Sequence, residues 1–277
     1  MRLTILSMPC AAGIAAARVL LKAAEHEVGA VVLAGPEIAG DTLADEATGR
    51  GVPLRWVDRA SVADAVRASR PDLLVVACFP WRLSPEVLAI PRLGGVNIHP
   101  SLLPALRGPE PIFWTYRHGL RTTGVTVHEL DAEFDHGAIL AQAALPVPPG
   151  SRGEALEAQL MEVGATLLVE ALPGVERGSL RAVPQDETRA SNAPSPTPGD
   201  LVVSSMLPAS WAWGFVRGVS GMGGPLVVHA GGRAIAVRDA LAFDPEERLA
   251  EAVHEEADGK VTVRFSPGWV RFQVAGD

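Results

Sequence analysis

Through the first 90 positions, short apolar runs are separated by amphipathic stretches: Leu3–Ser7 then Ala11–Glu25, Glu27–Ala34, Leu54–Val57 then Ser61–Ala68, and Asp72–Cys78. A run of four to eight apolar residues reads as a buried strand, and an apolar residue every three or four positions as one face of a helix. Strand and helix in alternation predict a parallel sheet with right-handed crossovers. Ligands of such sheets sit at the carboxyl ends of the strands, which here means the loops after Ser7, Cys78 and His99.

Farther along, Thr123–Leu130 alternates and Gly137–Val147 is a second apolar run ended by Pro146, Pro148 and Pro149, so both read as strands completing the sheet. Ser151 with Glu154 three residues later has the spacing of a capping box, and Leu156, Leu160, Val163, Leu167, Leu168 and Leu172 continue at helical spacing up to Pro173 and Gly174. After a proline-rich stretch the apolar runs shorten: a helix over Ser210–Arg217, then strands at Leu226–His229, Ala234–Val237, Val261–Phe265 and Val270–Val274. The expected architecture is α/β. A Rossmann-like, mostly parallel sheet with helices on both faces occupies residues 1–180, a Pro-rich linker residues 181–200, and a small β-rich, OB-like domain residues 201–277.

At 277 residues, 48% of them hydrophobic and 20% charged, the chain can bury a substantial core, which removes disordered and fibrous classes. The run Leu73–Phe79 falls far short of the roughly 20 residues a membrane-spanning helix needs. Nothing at the amino terminus reads as a secretory leader, so a cytoplasmic location is expected. Net charge is −8, only Lys22 and Lys260 are lysines, and no basic run occurs, which weighs against nucleic-acid binding. Cys10 and Cys78 lack metal or redox spacing and read as buried small hydrophobes. The fingerprints G-x-G-x-x-G, G-x-x-x-x-G-K-[ST] and G-x-S-x-G are absent, which disfavours dinucleotide, P-loop and nucleophile-elbow chemistry.

Residues 94–137 hold the candidate chemistry: N-I-H-P-S-L-L-P from Asn97, Arg107–Gly108, G-V-T-V-H ending at His128, and D-x-G at Asp135. Asn97 and His99, two apart on a strand, share a face and project together. In this order the motifs resemble the formyltransferases that use 10-formyltetrahydrofolate: the methionyl-tRNA, glycinamide ribonucleotide and sugar-nucleotide branches. The resemblance is strong over about residues 70–150 and weaker toward the carboxyl terminus. Transfer of a formyl group to an amine needs a donor for the developing oxyanion and a base for the amine proton. The resemblance implies that Asn97 bonds the formyl oxygen, that His99 polarises it or moves the proton, and that Asp135 orients His99 or a bridging water.

It also implies a folate site at Phe79, Trp81, Arg82, Leu83, Asp131 and Asp135, with 10-formyltetrahydrofolate as co-substrate, and substrate contacts at Ser101, Arg107 and Gly108. Arg107 fits a substrate anion or a structural salt bridge equally, Trp114 and Tyr116 fit a core or an acceptor pocket, and His128 reads as a sheet histidine. The spacing of His128, Asp131 and His136 is poor for a metal, and none is expected.

Three departures from the tRNA branch point to a small-molecule amine as acceptor. Residues 35–51 carry Arg50 as their only basic side chain against Glu37, Asp41, Asp45 and Glu46; residues 201–277 hold seven basic and nine acidic residues; and Arg217–Pro225 departs from the branch's R-A-x-x-P-x-P-G element. Methionyl-tRNA is the alternative acceptor, and a 10-formyltetrahydrofolate hydrolase or a non-catalytic folate-binding protein are further readings.

Overall fold

Each apolar run in the amino-terminal half becomes a strand, and each amphipathic stretch between them a helix, in a computed structural model that describes residues 1–37, 42–256 and 259–276. In chain order the elements are β1 (Arg2–Ser7), α1 (Ala11–Lys22), β2 (Glu27–Ala34), α2 (Thr42–Gly49), β3 (Leu54–Val57), α3 (Val62–Ser69), β4 (Leu73–Ala77), α4 (Pro85–Leu88), β5 (Gly95–His99), α5 (Pro111–Arg117), β6 (Thr122–Glu129), β7 (Ile139–Pro146) and α6 (Gly153–Glu176). There follow β8 (Val202–Ser204), α7 (Ala209–Val219), β9 (Leu226–Ala230), β10 (Arg233–Asp244), β11 (Val253–Glu255), β12 (Lys260–Arg264) and β13 (Trp269–Val274). The chain forms two compact units.

The first unit comprises residues 1–108, 122–146 and 157–192. Its sheet runs β3-β2-β1-β4-β5-β6-β7. The first five strands in that order are parallel, while β6 and β7 join antiparallel. Leu3, Ile5, Leu6, Val31, Leu33 and Leu74 are wholly buried, as the strands of a covered parallel sheet should be. Glycine at 164 lets α6 lie close on β5 and β6, because a side chain there would enter Ile98 and Val125. Helix α6 runs past Pro173 and ends one turn later, with the Arg177 N–H on the Pro173 carbonyl (3.3 Å). Around residues 35–51, Asp41 lies outside the described residues, Glu46 pairs with Arg18, and Arg50 donates to the Leu21 carbonyl. Cys10 and Cys78 are half-buried rather than buried, and Cys10 Sγ caps α1 by accepting the Gly13 N–H at 3.3 Å.

The second unit comprises residues 109–121, 147–156 and 193–277. Its six strands run β11-β12-β13-β10-β9-β8, with only β8–β9 parallel. Strand β10 extends well beyond Val237, because register shifts after Val237 and Ala240 break the alternation that a sequence pattern can reveal. Phe215 on α7 packs between Phe113 (5.6 Å) and Trp211 (5.1 Å), centring the core of this unit. Tyr116 is buried, with its hydroxyl 2.7 Å from Ser151 Oγ, and Trp114 Nε1 donates to the Pro194 carbonyl. Ser151 makes no capping box. Its hydroxyl is committed to Tyr116 and the Pro148 carbonyl, and α6 starts at Gly153. No helix among the described residues is long and apolar enough to cross a membrane.

Candidate active site

Strand β5 ends at His99, just before Pro100, at the carboxyl edge of the parallel strands where a ligand is expected. Asn97 faces His128 across the antiparallel β5–β6 pair, which brings a second imidazole to the site. The Asn97 amide nitrogen lies 3.1 Å from His128 Nε2 and donates to Asp135 Oδ1 at 3.3 Å. His128 Nδ1 lies 2.8 Å from the Glu129 carbonyl, so Nδ1 is assigned the proton and Nε2 accepts from Asn97. His128 is the satisfied sheet histidine that the sequence reading expects, on β6 with both ring nitrogens bonded, and only its position beside Asn97 goes beyond that reading. Parity across β5 and β6 is the one signal that carries it, and it needs the register.

His99 is buried, and its Nε2 lies 2.9 Å from the Leu106 carbonyl. That carbonyl can only accept, so Nε2 is assigned the proton and Nδ1 the lone pair. Nδ1 faces Asp135 Oδ1 at 3.6 Å, beyond hydrogen-bond length but close enough for strong electrostatic coupling in a buried setting. Burial lowers the His99 pKa below its ordinary value, and the Asp135 charge acts against that. Asp135 Oδ2 accepts the Gly108 N–H at 2.8 Å. Burial pushes the Asp135 carboxyl up, but the His99 and His128 rings and the Gly108 N–H outweigh it and hold the carboxyl at about 2. At neutral pH the site therefore sets an ionised carboxylate beside a neutral imidazole.

The loops holding these groups are unusual in backbone. Leu106 and Asp135 both have left-handed conformations (φ 60° and 58°), at a cost of about 1–3 kcal/mol each that surrounding contacts must hold. Gly137, the glycine of D-x-G, leaves room for the Glu129 carbonyl that any side chain would strike. Residues 101–105 are pinned by Thr126. Its buried hydroxyl donates to the Ser101 carbonyl (2.7 Å) and accepts from the Leu103 N–H (3.1 Å) and Gln142 Nε2 (2.8 Å). Ser101 is wholly buried and its hydroxyl donates to the Ala105 carbonyl, so it serves the loop itself. Of the two readings of Arg107, the structure shows the salt bridge. The guanidinium is buried, donates to both Glu187 carboxylate oxygens (2.7 and 2.8 Å), and also donates to Gln185 Oε1.

A cavity of about 780 Å³ lies in the same unit, lined by Phe79, Trp81, Arg82, Leu83 and Asp131 among others. Phe79 and Trp81 meet edge to face at 5.4 Å. Asp135 is not part of this lining and belongs to the His99 cluster. A second hollow of about 310 Å³ is bounded by Arg82, Arg107, Gly108, Phe134 and His136, with Arg82 over the Phe134 ring at 5.7 Å. Among the described residues, no group of three or more His, Cys, Asp or Glu is gathered to hold a metal.

Comparison with known proteins matches residues 49–172 to the formyl transferase family. The methionyl-tRNA formyltransferase of a Roseiflexus species (strain RS-1) is 45% identical over 152 residues, 55% of this chain and 46% of that protein. The methionyl-tRNA formyltransferase of Moorella thermoacetica is 34% identical over 236 residues, 81% of this chain and 75% of that protein. The chain spans about half the length of the first curated relatives it matches. In fold, it resembles HypX from Aquifex aeolicus in complex with tetrahydrofolic acid (TM-score 0.71, 20% identity, 98% of this chain and 43% of that one). It also resembles WlaRD, a sugar 3N-formyl transferase (TM-score 0.71, 13% identity, 100% and 98%).

Proposed function

This chain belongs to the formyltransferase family, and from that premise we propose that it transfers the formyl group of 10-formyltetrahydrofolate to a primary amine. One observation carries the reading. An amide donor, a buried neutral imidazole and an ionised carboxylate converge at Asn97, His99 and Asp135, in the unit that holds the aromatic-walled cavity. That cavity fits the donor in size and chemistry: about 780 Å³ lies within the range of small-molecule sites, and its walls combine apolar and aromatic faces with a few polar groups. Phe79, Trp81 and Leu83 would flank the pterin, with Asp131 among the polar groups that fix its orientation. When bound, the donor supplies a formyl carbon attached to nitrogen and open to attack by the acceptor amine.

The residues of the chain supply the rest. The Asn97 amide stabilises negative charge as it develops on the formyl oxygen, exchanging its long 3.3 Å bond to the Asp135 carboxylate for a shorter one to the oxyanion. His99 takes the amine proton at Nδ1, the nitrogen its Leu106 bond leaves free. Asp135 then faces an imidazolium and stabilises it, until the ring gives its proton to the donor nitrogen as the bond between that nitrogen and the formyl carbon breaks, leaving tetrahydrofolate. Gly108 keeps that carboxylate in place through its N–H.

For the acceptor, the similarity to methionyl-tRNA formyltransferases, over 55% and 81% of this chain, favours methionyl-tRNA. The charge of the chain favours a second reading, a small-molecule amine, because residues 201–277 sum to −2 and present no basic run to a phosphate backbone. The test of the shared core is His99→Ala. Formyl transfer should fall by at least about 10²-fold, while donor affinity, read by quenching of tryptophan fluorescence or by calorimetry, stays within about threefold of wild type. Retained turnover would contradict the assignment.

A further inference from the structure

We propose that Gln185, in the segment that follows α6, is a positioning residue for formyl transfer: its carboxamide ties the loop that bears Asp135 to the loop that holds His99. The inference deepens the proposed function and rests on it. Gln185 Nε2 donates to the Asp135 carbonyl (2.7 Å) and to the Gly137 carbonyl (2.8 Å). Its Oε1 accepts from Arg107 Nε (3.1 Å) and Nη2 (2.7 Å). Two donors and two acceptor sites are all that a carboxamide has, and all four are used. The partners also fix its orientation, since carbonyls can only accept and a guanidinium can only donate.

Both loops need such a tie. Asp135 and Leu106 hold left-handed backbone conformations, which relax unless neighbouring bonds over-determine them. The Leu106 carbonyl sets the His99 ring through Nε2, and the Gly108 N–H sets the Asp135 carboxylate. Arg107 lies between them in sequence, so anchoring its side chain on Gln185 fixes both flanking groups. The same segment continues the clamp: Ser191 Oγ accepts the Leu106 N–H (2.9 Å), the Ser191 carbonyl accepts the Arg107 N–H (2.8 Å), and Glu187 grips the guanidinium. None of these groups touches the reacting atoms. Their effect is on the His99–Asp135 separation, and catalytic geometry is sensitive to shifts of an ångström or less.

The experiment compares Gln185→Glu, Gln185→Ala and His99→Ala with wild type. Gln185→Glu keeps an acceptor for Arg107 and removes both donations to the Asp135 loop. If Gln185 positions Asp135, kcat falls on the order of 10–100-fold in Gln185→Glu as well as in Gln185→Ala, with donor KM changed less than about threefold. In Gln185→Ala, which adds no charge, the acidic limb of the kcat profile also moves to lower pH, because a carboxylate less firmly held beside His99 raises its pKa less. A role confined to anchoring Arg107 predicts instead that Gln185→Glu matches wild type in kcat, and that result overturns the inference. Should Gln185→Glu not fold by circular dichroism, Gln185→Met, of similar length and uncharged, stands in: it loses all four bonds, and a kcat and acidic limb that match wild type overturn the inference. Loss of transfer in His99→Ala with retention in Gln185→Glu rejects only the positioning role, whereas retention in His99→Ala rejects the active-site reading beneath it.

Discussion

Asp135 serves the site in two ways with one carboxylate: Oδ1 couples to His99 and Asn97, and Oδ2 ties down the Gly108 N–H. Its pKa of about 2 lies below the ordinary carboxylate value, despite burial that pushes it up. A depressed carboxylate contributes stability that is present above the unfolded pKa and lost as pH falls through the folded one. The Asp135 contribution, about 2 kcal/mol, should thus disappear between roughly pH 4 and pH 2. Under the proposed function, His99 has a matching signature. Its base form is lost as pH falls through a pKa held below the ordinary histidine value by burial. Asp135→Asn removes the charge that opposes that shift, so the acidic limb of kcat should move to lower pH while kcat drops by about 10-fold or more. An unmoved limb, read from kcat between pH 5 and 8, would separate Asp135 from His99. Asn97, His99 and the D-x-G glycine were legible in the sequence because strand parity and motif order need no tertiary knowledge. His128 and Gln185 were not, since each reaches the site through a partner 31 to 50 residues away that only the fold identifies.

Among the elements, α6 and β5 depend on one another through Gly164. The helix crosses β5 and β6 where a side chain would enter Ile98 and Val125, and neither is the loose end of a flexible chain. Intrinsic helix propensity predicts that Gly164→Ala stabilises the protein by up to about 1 kcal/mol. Overpacking predicts the opposite, a loss of about 1–3 kcal/mol, and it should win because Ile98 lies between Asn97 and His99 on β5. Urea denaturation decides the sign, and a more stable variant would show that the helix can lift off the sheet freely. The parallel strands were legible from their apolar runs because a sheet covered on both faces needs no polar alternation. The full length of β10 was hidden by its bulges, and β8 and β11 are three residues each, too short for any period to register. Proline at 173 signals a stop from sequence alone, yet the helix keeps one more turn because only the bond of the missing N–H is lost.

Across the whole chain, charge and ancestry point to different acceptors. Net charge is −8, and neutralising a polynucleotide backbone normally draws on clustered Arg and Lys. The curated relatives compared above are methionyl-tRNA formyltransferases. The two readings differ in ionic-strength dependence: transfer to methionyl-tRNA should weaken steeply between about 50 and 200 mM salt, and transfer to a small amine should change little. The decisive measurement is product mass after incubation with 10-formyltetrahydrofolate and either methionyl-tRNA, a panel of small amines, or no acceptor, each at low and high salt. A formylated amine that appears with wild type and not with His99→Ala is the predicted result, and which arm yields it identifies the acceptor. Donor consumption with no formylated amine in any arm would contradict the account and make the protein a hydrolase.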